Sequence, residues 1–203
     1  MKALFLSAAV VALLAVPAAA QTLSYGATLT SNYVSRGFTQ TNDGWALQPW
    51  VEIESSGWYG GLWASNVDFG ADSVEVDIYG GYRWSRENTS FDLGYARYFY
   101  DDSGDAGGEL YVLIEHEIGQ ATLSGGMHMG HAGGLTMNNA YVGFALAMTD
   151  QISVSAQGGV AGGLLYGNLG ASYAVTDAVS LDARYHLGNG INTRAVISAS
   201  IGF

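Results

Sequence analysis

The sequence has no cysteine, and no lysine beyond Lys2. Without thiols there are no disulfide staples, thiolate metal ligands or cysteine nucleophiles. Six arginines face eighteen carboxylates, and the formal charge is −11. Phosphates need clustered lysine and arginine, so nucleic acid is excluded as a partner. Prolines number two, and beyond residue 20 no apolar run is long enough to cross a bilayer as a helix. Charged residues make up only 12% of the chain, too sparse for a soluble β-protein that shows one whole polar face to water.

Glycine is abundant instead, 29 residues with neither a collagen period nor a low-complexity run. Aromatic residues reach 12%, with five tryptophans, which argues against disorder. Residues 1–20 read as a cleaved export signal: Lys2, an apolar stretch from Leu4 to Val16, then Ala18-Ala19-Ala20 before Gln21. Residues 21–203 are expected to form one domain.

Beyond residue 20 the apolar period is two rather than 3.6, the signature of strands. Twelve strands are predicted, at 22–35, 45–55, 57–67, 73–84, 89–100, 108–117, 119–130, 138–148, 151–160, 164–175, 178–187 and 192–203. Tight turns such as Ser55-Ser56-Gly57, Ile118-Gly119 and Thr149-Asp150 alternate with longer connections rich in Gly and Asp, among them Gly37–Gly44 and Asp101–Gly107. An even strand count with short turns at one end and longer loops at the other predicts an all-β, transmembrane, antiparallel up-and-down barrel. The Thr-Asp turns at 149–150 and 176–177 sit in similar strand–turn–strand segments and read as recurring hairpin chemistry.

The faces separate cleanly. Val74, Val76, Ile78, Tyr82 and Trp84 oppose Glu75, Asp77, Tyr79 and Arg83; Val179, Leu181, Ala183 and Tyr185 oppose Ser180, Asp182, Arg184 and His186. The apolar face is predicted to meet outer-membrane lipid, with Trp45, Trp58, Tyr82, Trp84, Phe91, Tyr185 and Phe203 as interfacial girdles. The last strand alternates to a terminal Phe203 and resembles the C-terminal signal of bacterial outer-membrane barrels, which implies recognition by barrel-assembly machinery.

The N-terminal half carries a more specific resemblance. Ser31-Asn32-Tyr33-Val34-Ser35-Arg36-Gly37-Phe38-Thr39-Gln40, Gly57-Trp58-Tyr59-Gly60-Gly61-Leu62-Trp63-Ala64-Ser65-Asn66-Val67-Asp68-Phe69-Gly70 and Glu75-Val76-Asp77-Ile78-Tyr79-Gly80-Gly81-Tyr82 resemble the Gcw_chp family of TorF-type porins, over roughly residues 24–100. The resemblance implies a proteobacterial outer-membrane barrel with a porin role. It carries no catalytic residues or cofactor.

A closed sheet of twelve strands at a spacing of about 4.8 Å and a tilt of about 40° has a radius of roughly 12 Å. Side chains then leave a narrow lumen, and its lining decides the function. The residues predicted to line it are the acids Glu52, Glu54, Glu75, Asp77, Asp92, Glu109, Glu115 and Asp182 and the bases Arg36, Arg83, Arg184 and Arg194. The acid excess favours cations among small solutes. The alternative is that Glu52, Glu75 and Asp77 pair with Arg36, Arg83 and Arg194 in a filled interior.

Three other constellations are weighed. Met127-His128-Met129-Gly130-His131 suggests a soft metal site, but strand geometry points His128 away from both methionines. Ser180, Asp182 and His186 share a face, yet neighbours on one face stand about 6.8 Å apart along a strand, too far for a relay. Asp101, Asp102 and Asp105 resemble a fragment of a calcium loop without its terminal glutamate. No metal, cofactor or chemical step is expected. The expected function is passive diffusion of small solutes, with a non-conducting binding or structural barrel as the alternative and an enzyme third.

Overall fold

The computed structural model describes residues 21–130 and 135–203; the export signal predicted at 1–20 and His131 lie outside them. The strands are β1 (Thr22–Thr30), β2 (Val34–Ser35), β3 (Phe38–Thr39), β4 (Ala46–Ser55), β5 (Trp58–Phe69), β6 (Asp72–Arg86), β7 (Thr89–Tyr100), β8 (Gly104–Ile118), β9 (Ala121–Gly130), β10 (Thr136–Ala147), β11 (Ile152–Ala161), β12 (Leu164–Ala174), β13 (Val179–Gly188) and β14 (Arg194–Gly202). Twelve of them form one closed antiparallel barrel in chain order, β1 pairing with both β4 and β14. The predicted fold class holds.

The seam is closed at the chain's end. Phe203 N–H donates to the Tyr25 carbonyl at 2.8 Å, Tyr25 N–H donates back at 3.0 Å, and the two rings lie 5.4 Å apart. Odd and even positions part into an apolar exterior, where Val142 is 70% exposed, and a polar interior. At the end that carries Gln21 and Phe203, the rings of Trp58, Tyr82, Trp84 and Phe91 touch in sequence across β5, β6 and β7 with centroid spacings of 5.0, 5.9 and 5.1 Å, the last two pairs stacked. This is the aromatic girdle expected at a membrane interface.

Glycine has a specific use inside. Tyr59, Tyr79, Tyr111, Tyr141 and Tyr166 each stand directly opposite a glycine on the next strand: Gly81, Gly61, Gly94, Gly126 and Gly159. Each ring lies over the backbone where a Cβ would otherwise stand; at Gly159 that atom would meet the Tyr166 ring at 2.7 Å.

Two features depart from expectation. The predicted first strand, 22–35, ends at Thr30. Thr30 Oγ1 donates to the Asn32 carbonyl at 3.0 Å, and the Asn32 side chain joins Asp43 (2.8 Å) and Thr39 (2.7 Å), local bonds that compete with the ladder. The chain then turns into a small hairpin, β2–β3, around Arg36 and Gly37 at φ 51° and 89°, values that suit a type I′ turn. The connections at 70–71 and 101–103 are also shorter than predicted. Asp101 accepts the Ser73 and Val74 amides, and Asp72 accepts those of Asp102 and Ser103, so reciprocal carboxylate clamps extend the strands there.

Candidate functional site: the barrel lumen

The β2–β3 hairpin does not project away from the barrel. Arg36 at its tip forms a bidentate pair with Glu109 of β8, Nη1 donating to Oε1 at 2.9 Å. Going round the wall from β1, β8 is the fifth strand in one direction and the seventh in the other. The pair therefore spans the lumen. Glu109 also accepts the Tyr98 hydroxyl and the Asn138 amide, both at 3.0 Å, and His128 Nδ1 lies 3.4 Å away. The base of the arm is tied at Asp43–Arg194 and by Asp68 N–H donating to the Gln40 carbonyl at 2.7 Å.

Beneath the arm, Arg83 of β6 gathers three acids. It donates to Glu52 (2.6 and 3.1 Å), Glu54 (3.2 Å) and Asp92 (3.1 Å), and its guanidinium lies 3.7 Å over the Tyr59 ring. The Tyr59 hydroxyl donates to Asp92 at 2.5 Å and contacts the Tyr111 hydroxyl at 2.6 Å. Acids and tyrosines crowd the β4–β8 wall.

The facing wall is lined by smaller groups. Arg184 of β13 lies flat across its neighbours, donating to Asp182 (3.0 and 3.2 Å), Asn168 (2.6 Å) and Ser155 (3.0 Å). Arg184 lines two cavities. One, about 260 Å³, is bordered by Glu115, Ser124, Tyr141, Ser155 and Gln157. The other, about 270 Å³, lies next to the hairpin with Tyr33, Gln48, Trp63, Asp182 and His186. A larger trough of about 860 Å³ runs along the apolar exterior between Leu29, Trp45, Tyr173 and Ile197, outside the lumen.

Of the residues singled out from sequence, Glu52, Glu54, Arg83 and Asp92 form one cluster, Asp182 and Arg184 another, and Arg36 joins Glu109. Arg194 sits at the mouth with Asp43. Glu115 borders the deeper cavity. Glu75 and Asp77 take no arginine: Glu75, only 5% exposed, accepts the Tyr100 hydroxyl at 2.9 Å, while its Oε2 and Asp77 Oδ1 are buried without a hydrogen-bond partner among the described residues. Sequence reasoning followed charge and so missed Tyr59, Tyr98, Tyr111, Asn138 and Asn168; the same period-two face places them inside. The described residues contain no group of three His, Asp or Glu side chains set to hold a metal.

The family described as "Bacterial protein of unknown function (Gcw_chp)" matches residues 14–161. The chain belongs to the Gcw_chp family. No curated protein matches it in sequence. Among solved structures, this Gcw_chp barrel is similar to a KdgM porin (9% identity over 89% of this chain and 99% of that one, TM-score 0.68) and to a NanC porin (10%, 89% and 98%, TM-score 0.54). It is also similar to outer membrane phospholipase A from Escherichia coli (13%, 88% and 89%, TM-score 0.50). At these identities the likeness is one of fold, shared by channels and an enzyme alike. The lining of the Gcw_chp lumen must therefore carry the functional argument.

Proposed function

We propose that this chain is an outer-membrane channel through which small solutes diffuse passively, with a preference for cations among ions. The carrying observation is the acid surplus at the lumen wall: each lumen-facing arginine is already engaged by a carboxylate, and Arg83 alone faces Glu52, Glu54 and Asp92. Fixed negative potential in a narrow, low-dielectric passage raises the local cation concentration. One similar structure is titled a KdgM porin in complex with disordered oligogalacturonate, a polyanion. No unpaired arginine stands in the described lumen to receive such a solute, so a different solute class is proposed here. Lipid around the apolar exterior and assembly machinery reading the strand that ends at Phe203 complete the proposed partners.

The Ser180, Asp182 and His186 face supports no hydrolase reading, because Asp182 is engaged by Arg184 and by the Ser172 hydroxyl at 2.7 Å. Single-channel recording of the refolded chain in planar bilayers tests the proposal. Discrete steps with a cation-selective reversal potential are expected; verified insertion without steps would leave a binding or structural barrel.

A further inference from the structure

We propose that the cavity beside the hairpin is a subsite for a single ring of a neutral, polyhydroxylated solute, an inference that rests on the channel reading above and names what the channel would hold. The cavity measures about 270 Å³. At about 30 Å³ per water it displaces roughly nine waters, room for one sugar ring and not for two.

Its lining has two kinds of surface. On one side Trp63 meets Tyr33 edge-on at 5.4 Å, an aromatic wall suited to the C–H face of a ring. On the other stand the Gln48 amide, the His186 imidazole and the Asp182–Arg184 pair. Among the described residues neither Gln48 nor His186 has a side-chain hydrogen bond to the protein, although His186 is only 9% exposed. The His186 ring nitrogens are not sealed in the wall but open to the cavity, so a hydrogen-bonding solute seated there meets an unengaged donor and acceptor.

The rest of the frame is already saturated and rigid. Asn32 is engaged by Asp43 and Thr39, Thr30 accepts the Ser198 hydroxyl at 2.9 Å, and Arg184 is held by Asn168 and Ser155. The charges of Asp182 and Arg184, 3.0 Å apart, cancel. The subsite therefore offers donors and acceptors without net charge, which suits hydroxyl groups and penalises an ion. Arg184 lines the second cavity as well, so the two share one side chain of wall.

The test measures binding apart from conduction. The full chain, refolded in detergent, is titrated by calorimetry with D-glucose and separately with the zwitterion betaine, and the same preparation is recorded in bilayers. Saturable glucose binding is expected, without betaine binding, and roughly tenfold weaker in Gln48→Leu with His186→Phe, as two lost hydrogen bonds would give. The single variants Gln48→Leu and Trp63→Leu, each weakening glucose in the same direction, decide the matter should the double variant not fold. Conducting channels without saturable glucose binding, equal binding of betaine, or wild-type affinity in these variants would each overturn the subsite. Glucose binding without channel steps would retain the subsite and remove the channel reading.

Discussion

Arg36 and Glu109 are 73 residues apart in the chain and sit on nearly opposite sides of a twelve-strand barrel, yet they meet at 2.9 Å in a bidentate pair. Glu109 is the more enclosed partner, its side chain only 7% exposed. A carboxylate so placed depends on its donors, and the hairpin that supplies Arg36 is held across the lumen as a result. Breaking such a pair from one side costs about 3–5 kcal/mol, because the remaining charge is left buried. Arg36→Ala is predicted to free the arm and enlarge the single-channel step. The swap Arg36→Glu with Glu109→Arg is predicted to return the step toward wild type; an unchanged step in Arg36→Ala would mean that the arm does not limit passage.

Cation preference is predicted to follow the acid excess around Arg83. Glu54→Gln, which removes the most exposed acid of that cluster, should shift the reversal potential in a salt gradient toward zero. Glu75→Gln with Asp77→Asn should shift it less, because these carboxyls are buried without a cation and favour their neutral form. Equal shifts would indicate that Glu75 and Asp77 are ionised in the conducting state.

Arg83→Gln is predicted to act in the opposite direction. It leaves Glu52, Glu54 and Asp92 without their cation, so cation selectivity should rise. Because the Arg83 side chain is 38% exposed, solvent screens part of the loss, and a stability change of only about 1–2 kcal/mol is expected in urea unfolding from lipid vesicles.

Gly159→Ala tests the tyrosine-over-glycine packing. Its Cβ would stand 2.7 Å from both the Tyr166 ring and the Ala140 carbonyl oxygen, and that oxygen belongs to backbone. Overpacking of this kind costs about 1–3 kcal/mol. Gly158→Ala, where a Cβ meets open space, should be tolerated far better on the same unfolding curve.

Asp101 provides a pH prediction. The Ser73 hydroxyl, then the Ser73 and Val74 amides, hold its carboxyl down to about 2. A depressed carboxyl stabilises the fold above its free value near ~3.9 and loses that contribution as pH falls through the folded value. The β7–β8 connection should therefore stay clamped to the start of β6 until pH falls toward about 2. Ser73→Ala should raise the carboxyl titration followed by carbon NMR; no change would show that the amides alone hold it.

How much of this was legible beforehand can be followed residue by residue. Glu75, Asp77 and Arg83 on one face against Val76, Ile78 and Tyr82 on the other fix which side of β6 is interior, because strand side chains alternate whatever the neighbours are. The apolar face of the closing strand, up to Phe203, follows from the same local rule. The partners of Arg36 do not. Ser31 to Ser35 alternates well enough to continue a strand, and only a competing set of side-chain bonds at Asn32, Thr39 and Thr41 turns it inward.

The sequence by itself therefore determined the class of molecule: a glycine-rich, lysine-free, alternating chain satisfies its backbone in a membrane only by closing into a barrel. Only the tertiary structure decided what the lumen is. Closure brings β8 opposite the β1–β4 connection, leaves Glu75 without an arginine, and sets Gln48, Trp63 and His186 around one cavity. Those are contacts between residues distant in the chain, and period-two alternation assigns a side chain to a face without saying which residue it meets across the barrel.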